Sequence, residues 1–591
     1  MPAGKLLGLA KSNGSNLKRF VIAITTFVVG LSLTAIGIVD QVRNSPLETI
    51  RLGVEVAPDR QFVVIPNRTL TSYPGTVEVI ASGAEQVFLA TVRESDATAW
   101  IADTAHQEIR LLVNQEAETA SLNQIDRPGE GELVDPVGQD IWRVSKVGAE
   151  KAKIVVAGGN ETAVLVASDG RALAPESIEI RWTLPPQPLP FSPLPPIGLI
   201  LMLLGSLGIL VDWWLKRRRT RIGRNYRGPK PPRPSGLFPV KMHMPEKLKR
   251  GTKKSRRGRR GLSFIALTLS AATLAGCTAT YESPILSPSP SAAADILTPV
   301  MTKSQLKRIL GEIVDVIAEA DAELDREGIE VRVTGAALAI RRAAYNLARR
   351  TAAEDDGPEP IVAGPIKLFL PSATDTWPRS VMVVTGEERL QLLVLTQANP
   401  RDNYQLQNYT ALLPGATFPE VAAEEVGANA VKVDSKFLSF DAKKLPEAVG
   451  DLINNPAESA WSALINADNQ YISDLVTFQA SLAETLSNAN LNFGHRLGDN
   501  NIVLLSSADG GALVALYMVD TYTIIPRSAG DAVAITGDEA LLLGTGGSAT
   551  GIETRYGAML LFHVPASGSE SPVQLLGATQ QLLTAITIGS R

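Results

Sequence analysis

The sequence predicts a multidomain membrane protein with two to three transmembrane helices, an all-β sandwich ectodomain and a C-terminal α+β region. Three observations carry this expectation. Residues 20–39 and 197–215 are apolar runs of membrane-spanning length, the second interrupted only by Asp212. The stretch between them is a succession of short β-branched and aromatic runs broken by Gly, Pro, Asn and Asp. After residue 300, helical periodicity followed by strand-like runs occurs twice.

Residues 1–19 carry Lys5, Lys11, Lys18 and Arg19 and no acid, which predicts a cytoplasmic N-terminus. No small-residue cleavage site follows the first apolar run, so residues 20–39 read as a retained helix. Residues 41–182 then fall outside. Their runs at 61–65, 76–80, 87–92, 109–113, 152–156 and 162–166 lack a helical period and predict the sandwich. Residues 183–196 hold seven prolines in the twelve positions from Pro185, a composition that favours an extended polyproline stalk. The second span, 197–215, stops at Trp213-Trp214 and the basic run Lys216-Arg217-Arg218-Arg219, an aromatic belt followed by a cytoplasmic stop signal.

The formal net charge of −4 hides an asymmetry: residues 216–260 hold 19 of the 57 Lys and Arg and one acid, Glu246. With little to bury, this linker is expected to rest on anionic lipid headgroups at the cytoplasmic surface. Only Tyr226 and Phe238 interrupt it, and the lack of interleaved stacking aromatics weighs against nucleic acid. Arg256-Arg257-Gly258-Arg259-Arg260 then leads into an apolar segment, 261–276, ending in Leu274-Ala275-Gly276, and the next residue is Cys277, the single cysteine of the 591-residue chain. A basic approach, a short apolar core and a small-residue end are the parts of an export signal. Ending in a cysteine, they match a bacterial lipobox, which makes Cys277 the expected lipidation site. Met242 and Met244 stand just upstream, so the chain reads as a two-span membrane protein joined to a lipoprotein.

Residues 278–300 form a Ser/Pro tether. Thr302 and Gln305 have capping-box spacing before a helix with Leu306, Ile309, Leu310, Ile313, Ile317, Ala320 and Leu324 on one face. A second helix is expected over 335–350, followed by strands at 366–370, 380–385, 390–396 and 409–413, closing a first α+β domain, 301–440. In the second, 441–591, a helix over 469–486 with Tyr471, Leu475, Phe478, Leu482 and Leu486 on one face precedes strands at 502–506, 512–519, 522–525, 532–535, 539–543 and 558–563 and a final helical segment over 575–587. Helices before an antiparallel meander fit, by analogy, two domains of the nuclear-transport-factor type.

Two stretches carry a resemblance. Val87-Phe88-Leu89-Ala90-Thr91-Val92-Arg93-Glu94-Ser95-Asp96-Ala97-Thr98-Ala99-Trp100 with Ala105-His106-Gln107-Glu108-Ile109 resembles uncharacterised actinobacterial two-span membrane proteins with a β ectodomain. The half from Cys277 resembles uncharacterised actinobacterial lipoproteins, through Ala339-Ile340-Arg341-Arg342-Ala343-Ala344-Tyr345, Thr376-Trp377-Pro378-Arg379-Ser380 and the run from Leu395 to Tyr404. The resemblance implies architecture and an envelope location. A loose link of some members to glycan transfer comes with it, and none of the quoted residues carries that link.

Catalytic constellations are weak. The four histidines are scattered, and one cysteine builds neither a disulfide nor a cysteine-based zinc site, so neither metal nor cofactor is expected. Gly544-Thr545-Gly546-Gly547-Ser548-Ala549 loosely matches a dinucleotide loop but opens no helix and reads as a hairpin turn. Asp96, Trp100 and His106 read as turn and core residues. The best recognition candidates are Trp377, Arg379, Arg401 and Tyr404, whose side chains suit an anionic glycan or a protein partner, against the plainer reading of a core tryptophan and locally paired arginines. The functional expectation is a binding or scaffolding protein of the cell envelope, with residues 41–195 and 278–591 outside the cytoplasmic membrane; the alternative is an enzyme or accessory subunit in envelope glycan assembly.

Overall fold

In the computed structural model, the described residues are 7–43, 49–56, 59–114, 119–156, 161–185, 194–222, 297–351, 357–498 and 502–589. Cys277, most of the basic linker, the signal-like segment and most of the Ser/Pro tether lie outside them. The chain divides into two units, residues 1–50 with 183–288 and residues 51–182 with 289–591.

The first unit is built on α1 (Leu7–Arg43), whose stretch Phe20–Ile38 is long and apolar enough to cross a membrane. The second unit begins with a sheet of eight strands: β1 (Thr49–Glu55), β2 (Phe62–Ile65), β3 (Thr76–Arg93), β4 (His106–Asn114), β5 (Thr119–Arg127), β6 (Val144–Val156), β7 (Thr162–Ala167) and β8 (Ser177–Thr183). Two short helices interrupt it, α2 (Asn67–Leu70) and α3 (Glu94–Ile101). The spatial order is β1-β8-β3-β7-β2-β4-β5, with β6 also on β3. This is a single, partly closed barrel where the sequence predicted a two-sheet sandwich. The cause is β3, which was expected as two strands and is one of 18 residues. Its pairing with β6 slips between Ser82 and Gln86, and Gly83 at φ +97° supplies the bend, so one strand turns a corner and carries the sheet with it. At the open seam, Gln124 of β5 donates from Nε2 to the carbonyl of Glu55 at the end of β1. Both faces of the sheet are covered where β2, β3 and β7 meet: Phe62 and Phe88 share one face and cluster there with Trp100 and Trp142, while Val63, Leu89 and Val166 are buried on the other. The Trp100 and Trp142 rings meet edge to face at 5.1 Å, the geometry the ring quadrupoles favour. The prediction of no helix in this domain fails at α3, because eight residues show too little of a 3.6 period to stand out.

The first unit is completed by α4 (Leu194–Ile222), whose stretch Leu194–Leu215 is the second apolar span. It packs on α1 through glycines. A Cβ on Gly30 would lie 2.6 Å from the Met202 nitrogen and one on Gly205 2.6 Å from the Phe27 nitrogen, so the two backbones approach as closely as small residues allow.

The C-terminal region opens with α5 (Lys303–Glu323). The capping box is present: Thr302 accepts from the Gln305 backbone and the Gln305 side chain accepts in return. The predicted apolar face is buried from Leu306 to Ala320, and Leu324 adopts the left-handed C-cap conformation. Next come α6 (Gly335–Ala348) and a four-stranded meander, β9 (Ile366–Pro371), β10 (Arg379–Thr385), β11 (Gln391–Gln397) and β12 (Gln405–Ala411), in the order β12-β11-β10-β9. Helices α7 (Leu445–Asn454) and α8 (Gln470–Thr485) follow. Then come β13 (Ala489–Leu497), β14 (Val503–Ser506), β15 (Ala512–Pro526), β16 (Val533–Ala534), α9 (Gly537–Leu543), β17 (Gly547–Ser548), β18 (Ile552–Val564) and β19 (Gln574–Thr587). The larger sheet runs β13-β15-β18-β19, with β14 on β15. Packing is continuous across residue 440: Tyr517, Val519 and Met559 join the α5/α6 cluster, and Leu413 donates its backbone N–H to the Leu576 carbonyl at 2.9 Å.

Several expectations change here, among them the separate strands at 512–519 and 522–525, which are the single strand β15. Residues 575–587 are strand, not helix. The doublets Leu575-Leu576 and Leu582-Leu583 are seven apart and imitate a heptad, but β19 buries both faces, Leu575 and Leu576 entering different clusters, so strand alternation is hidden. Residues 539–543 are helix, not strand, with Asp538 and Glu539 in the first turn of α9 and Gly544 at φ +77° as its cap. The strand expected over 532–535 shrinks to β16. In α8 the expected face packs inward at Tyr471, Leu475, Leu482 and Leu486, joined by Ile472 and Gln479, while Phe478 is exposed and stacks loosely on Tyr522.

Candidate functional site

A group of buried charged residues of the second unit converges where the barrel meets the C-terminal region. On the barrel side, β3 ends in Arg93 and α3 begins, with Asp96 in its first turn, favoured there by the helix dipole. Arg93 grips Asp96 in a fork, Nη2 to Oδ1 at 2.7 Å and Nε to Oδ2 at 2.9 Å. Arg379, at the start of β10, donates to the same Oδ1 at 2.7 Å. All three residues are 2% exposed or less. Arg93 also donates to the carbonyls of Thr298 at 2.8 Å and Thr374 at 3.0 Å. Burial pulls its guanidinium toward deprotonation, and Asp96 with Asp375 outweighs it, so the group stays charged with its pKa raised.

Trp377 lies against the barrel's aromatic cluster, its Nε1 donating to Gln397 Oε1 at 3.0 Å, and the Arg379 guanidinium stacks 3.5 Å from its ring centre. Arg401 closes the other end of α3. It donates from Nε to the Trp100 carbonyl at 2.8 Å, from Nη2 to the Ile101 carbonyl at 3.2 Å and to Thr104 Oγ1 at 2.8 Å, and from Nη1 to the Glu132 carbonyl at 3.1 Å. A cation on the last carbonyls of a helix satisfies them and complements the dipole. Tyr404 is buried, its backbone N–H donating to Asp140 Oδ2 at 2.8 Å, and burial pushes its hydroxyl pKa up.

Asp140 is the second centre. It is fully buried, lies in the loop after β5, and receives Arg332 Nη1 at 2.5 Å and Arg308 Nη1 at 3.2 Å. The Asp140 backbone N–H donates to Asn403 Oδ1 at 2.9 Å. So Trp377, Arg379, Arg401 and Tyr404 do come together, and what they touch is the barrel of the same chain. Sequence reasoning missed Arg93, Asp140, Arg308 and Arg332. Asp140 sits in a Gly138-Gln139-Asp140 loop that carries no spacing signal, and pairing across more than 160 residues leaves no local trace.

A cleft of about 390 Å³ opens between the two C-terminal sheets. Ser380, Thr396 and Gln405 stand in one register row across β10, β11 and β12. Val431 and Val503 line it as well. Ser372, also in the lining, is 1% exposed and its hydroxyl has no hydrogen-bond partner. No charged side chain belongs to the described lining, so what the cleft offers is hydrogen bonding and apolar contact to a neutral group.

Elsewhere, His495 Nδ1 lies 2.7 Å from Asp520 Oδ1 and its Nε2 3.2 Å from Asn454 Oδ1, which engages both ring nitrogens. Among the described residues no group of three His, Cys, Asp or Glu side chains could hold a metal ion. The glycine-rich 544–549 stretch caps α9 and forms the turn into the β16–β17 pair. Asp96 and Trp100 are buried, and His106 Nδ1 lies 2.9 Å from the Thr104 carbonyl.

A domain of unknown function (DUF8094) covers residues 297–586, just under half of the chain. No curated protein and no solved structure matches the chain.

Proposed function

We propose that this chain is a membrane-anchored cell-envelope protein whose barrel and C-terminal region act as one extracytoplasmic binding or scaffolding body. The observation that carries the reading is the buried seam of Asp96, Arg379, Asp140 and Arg332. Residues 51–182 follow one apolar helix and precede another, so if both helices span, residue 222 is back on the starting side. The C-terminal region packs against the barrel and must share its side. The chain therefore crosses once more between 223 and 296, and residues 261–281 are 21 consecutive positions without a charge, preceded by a dense basic run. This supports the export-signal reading of that segment, and the lipobox sequence Leu274-Ala275-Gly276-Cys277 is what points to acylation of Cys277. The basic residues of 216–260 then lie on the cytoplasmic face against anionic lipid.

Binding is tested by placing a photo-crosslinking amino acid at Gln407, in the cleft, in cells expressing the full chain. An adduct that forms there and not at the exposed Val147 of the barrel supports a binding role; equal yields at the two positions overturn it.

A further inference from the structure

We infer that the seam between the barrel and residues 297–589 is a subunit interface, so that cutting the chain between residues 223 and 296 leaves a stable complex of two polypeptides. The inference deepens the function proposed above, and rests on it only for where a cut falls in the host, at Cys277.

Four observations lead there. The two sides are complementary in charge at most of the contacts: the barrel contributes the carboxylates of Asp96 and Asp140 and the carbonyls of Trp100, Ile101 and Glu132, and the C-terminal region contributes Arg308, Arg332, Arg379 and Arg401, with its own Glu312 beside Arg308 and Arg332. Arg93, a barrel guanidinium at the first centre, is paired with Asp96 and turns its other donors to the C-terminal side, to the carbonyls of Thr298 and Thr374 and, at 3.3 Å, to the carboxylate of Asp375. This is the complementarity by which separately formed surfaces select one another. Each side also owns an apolar core: Phe62, Phe88, Trp100 and Trp142 in the barrel, and the α5/α6 and α7/α8 clusters in the C-terminal region. A packing anchor crosses the joint, since Trp377 lies on the barrel's aromatic cluster. Finally, the joint does not depend on the connecting segment: every contact named is made by residues outside 223–296. Processing at Cys277 would then give a two-chain complex, one chain carrying the two apolar helices and the other carrying the lipid.

The test uses the full chain, purified in detergent, with a site-specific protease site inserted after Gly251. After complete cleavage the two fragments are expected to co-elute in size exclusion at about 1 μM, the concentration at which a Kd well below 1 μM keeps them associated. Separate elution of the two fragments overturns the inference. Asp140→Arg places a third arginine beside Arg308 and Arg332 and is expected to release the fragments on cleavage; Arg401→Glu, on the opposite surface, serves as the independent second variant. Both are read only where the uncut variant elutes as a single species with the parent's near-ultraviolet spectrum, and co-elution of both cleaved variants at parental yield also overturns the inference. In the host, a C-terminally tagged chain is purified in mild detergent. Recovery of a fragment with a lipidated N-terminus at Cys277 together with the barrel fragment supports the two-chain form. Recovery of the lipidated fragment alone counts against the interface, and a single uncut chain unchanged by Cys277→Ala overturns processing while leaving the detergent result to decide the interface.

Discussion

Replacing Asp96 by asparagine keeps the shape of the seam and removes the carboxylate that two guanidiniums share. Arg93 and Arg379 are each 1% exposed, so neither can recover its solvation by turning outward. Removing one member of a buried ion pair costs about 3–5 kcal/mol because the remaining charge stays buried and unpaired; here Arg379 loses its carboxylate and Arg93 keeps only Asp375, at 3.3 Å. Arg379→Met is milder by the same reasoning: Asp96 keeps its two-pronged bond to Arg93, and the loss is one charge-assisted hydrogen bond and the stack on Trp377, about 1.5–3 kcal/mol. The assay is hydrogen exchange read by mass spectrometry over α3 and over residues 397–405, the two faces of the joint. Opening made easier by 3–5 kcal/mol lowers protection there by roughly 10²–10³-fold or more, while β15 and β18 in the C-terminal core keep theirs. An Asp96→Asn effect equal to or smaller than that of Arg379→Met, or one below about 1 kcal/mol, would refute the assignment of Asp96 as the shared counter-ion.

Other outcomes follow from the same contacts. Arg401→Lys keeps the charge but gives up the planar fork that reaches four acceptors at once, so thermal unfolding should shift down as for a loss of about 1–3 kcal/mol; an unchanged transition would show that the α3 cap contributes nothing. Gly30→Leu forces apart the backbones of α1 and α4, and cysteines introduced at Thr34 and Met202, whose side chains touch at 4.0 Å, should then fail to cross-link. Glu108 gives a pH signature. Burial alone would raise its pKa, but Arg110, Arg127 and Arg68 hold it down at about 2 against an ordinary 4.5. A carboxyl depressed on folding contributes stability above its unfolded pKa and loses it as pH falls through the folded one, so the barrel should weaken between about pH 4.5 and 2. Glu108→Gln should flatten that acid limb, followed by fluorescence of the buried Trp100, Trp142 and Trp182.

Periodicity and capping made much of the fold legible. Thr302 and Gln305 marked the start of α5, and its buried face was readable because one side of that helix is wet and the other dry. The failures share a cause. Residues 575–587 are covered on both faces, and a segment with no wet side has no period to read. The single bent strand β3 was unreadable for another reason: its bend at Gly83 looks in sequence like the turn between two strands. At the site, Trp377, Arg379, Arg401 and Tyr404 stood out as aromatic and arginine residues crowded into one region, and they do gather. Their partners Asp96 and Asp140 are far away in the chain, and a carboxylate in a loop announces nothing until its arginine is folded against it.

Sidedness tests the central claim most directly. Single cysteines are placed at Val147 in the barrel and at Phe437 in the C-terminal region, positions 54% and 83% exposed, and intact cells are treated with a membrane-impermeant maleimide, with the parent chain as baseline. Both positions should label before lysis. Labelling of one only before lysis and the other only after would put the two halves on opposite sides of the membrane, where the bonds from Asp96 to Arg379 and from Asp140 to Arg332 cannot form, and would contradict the account.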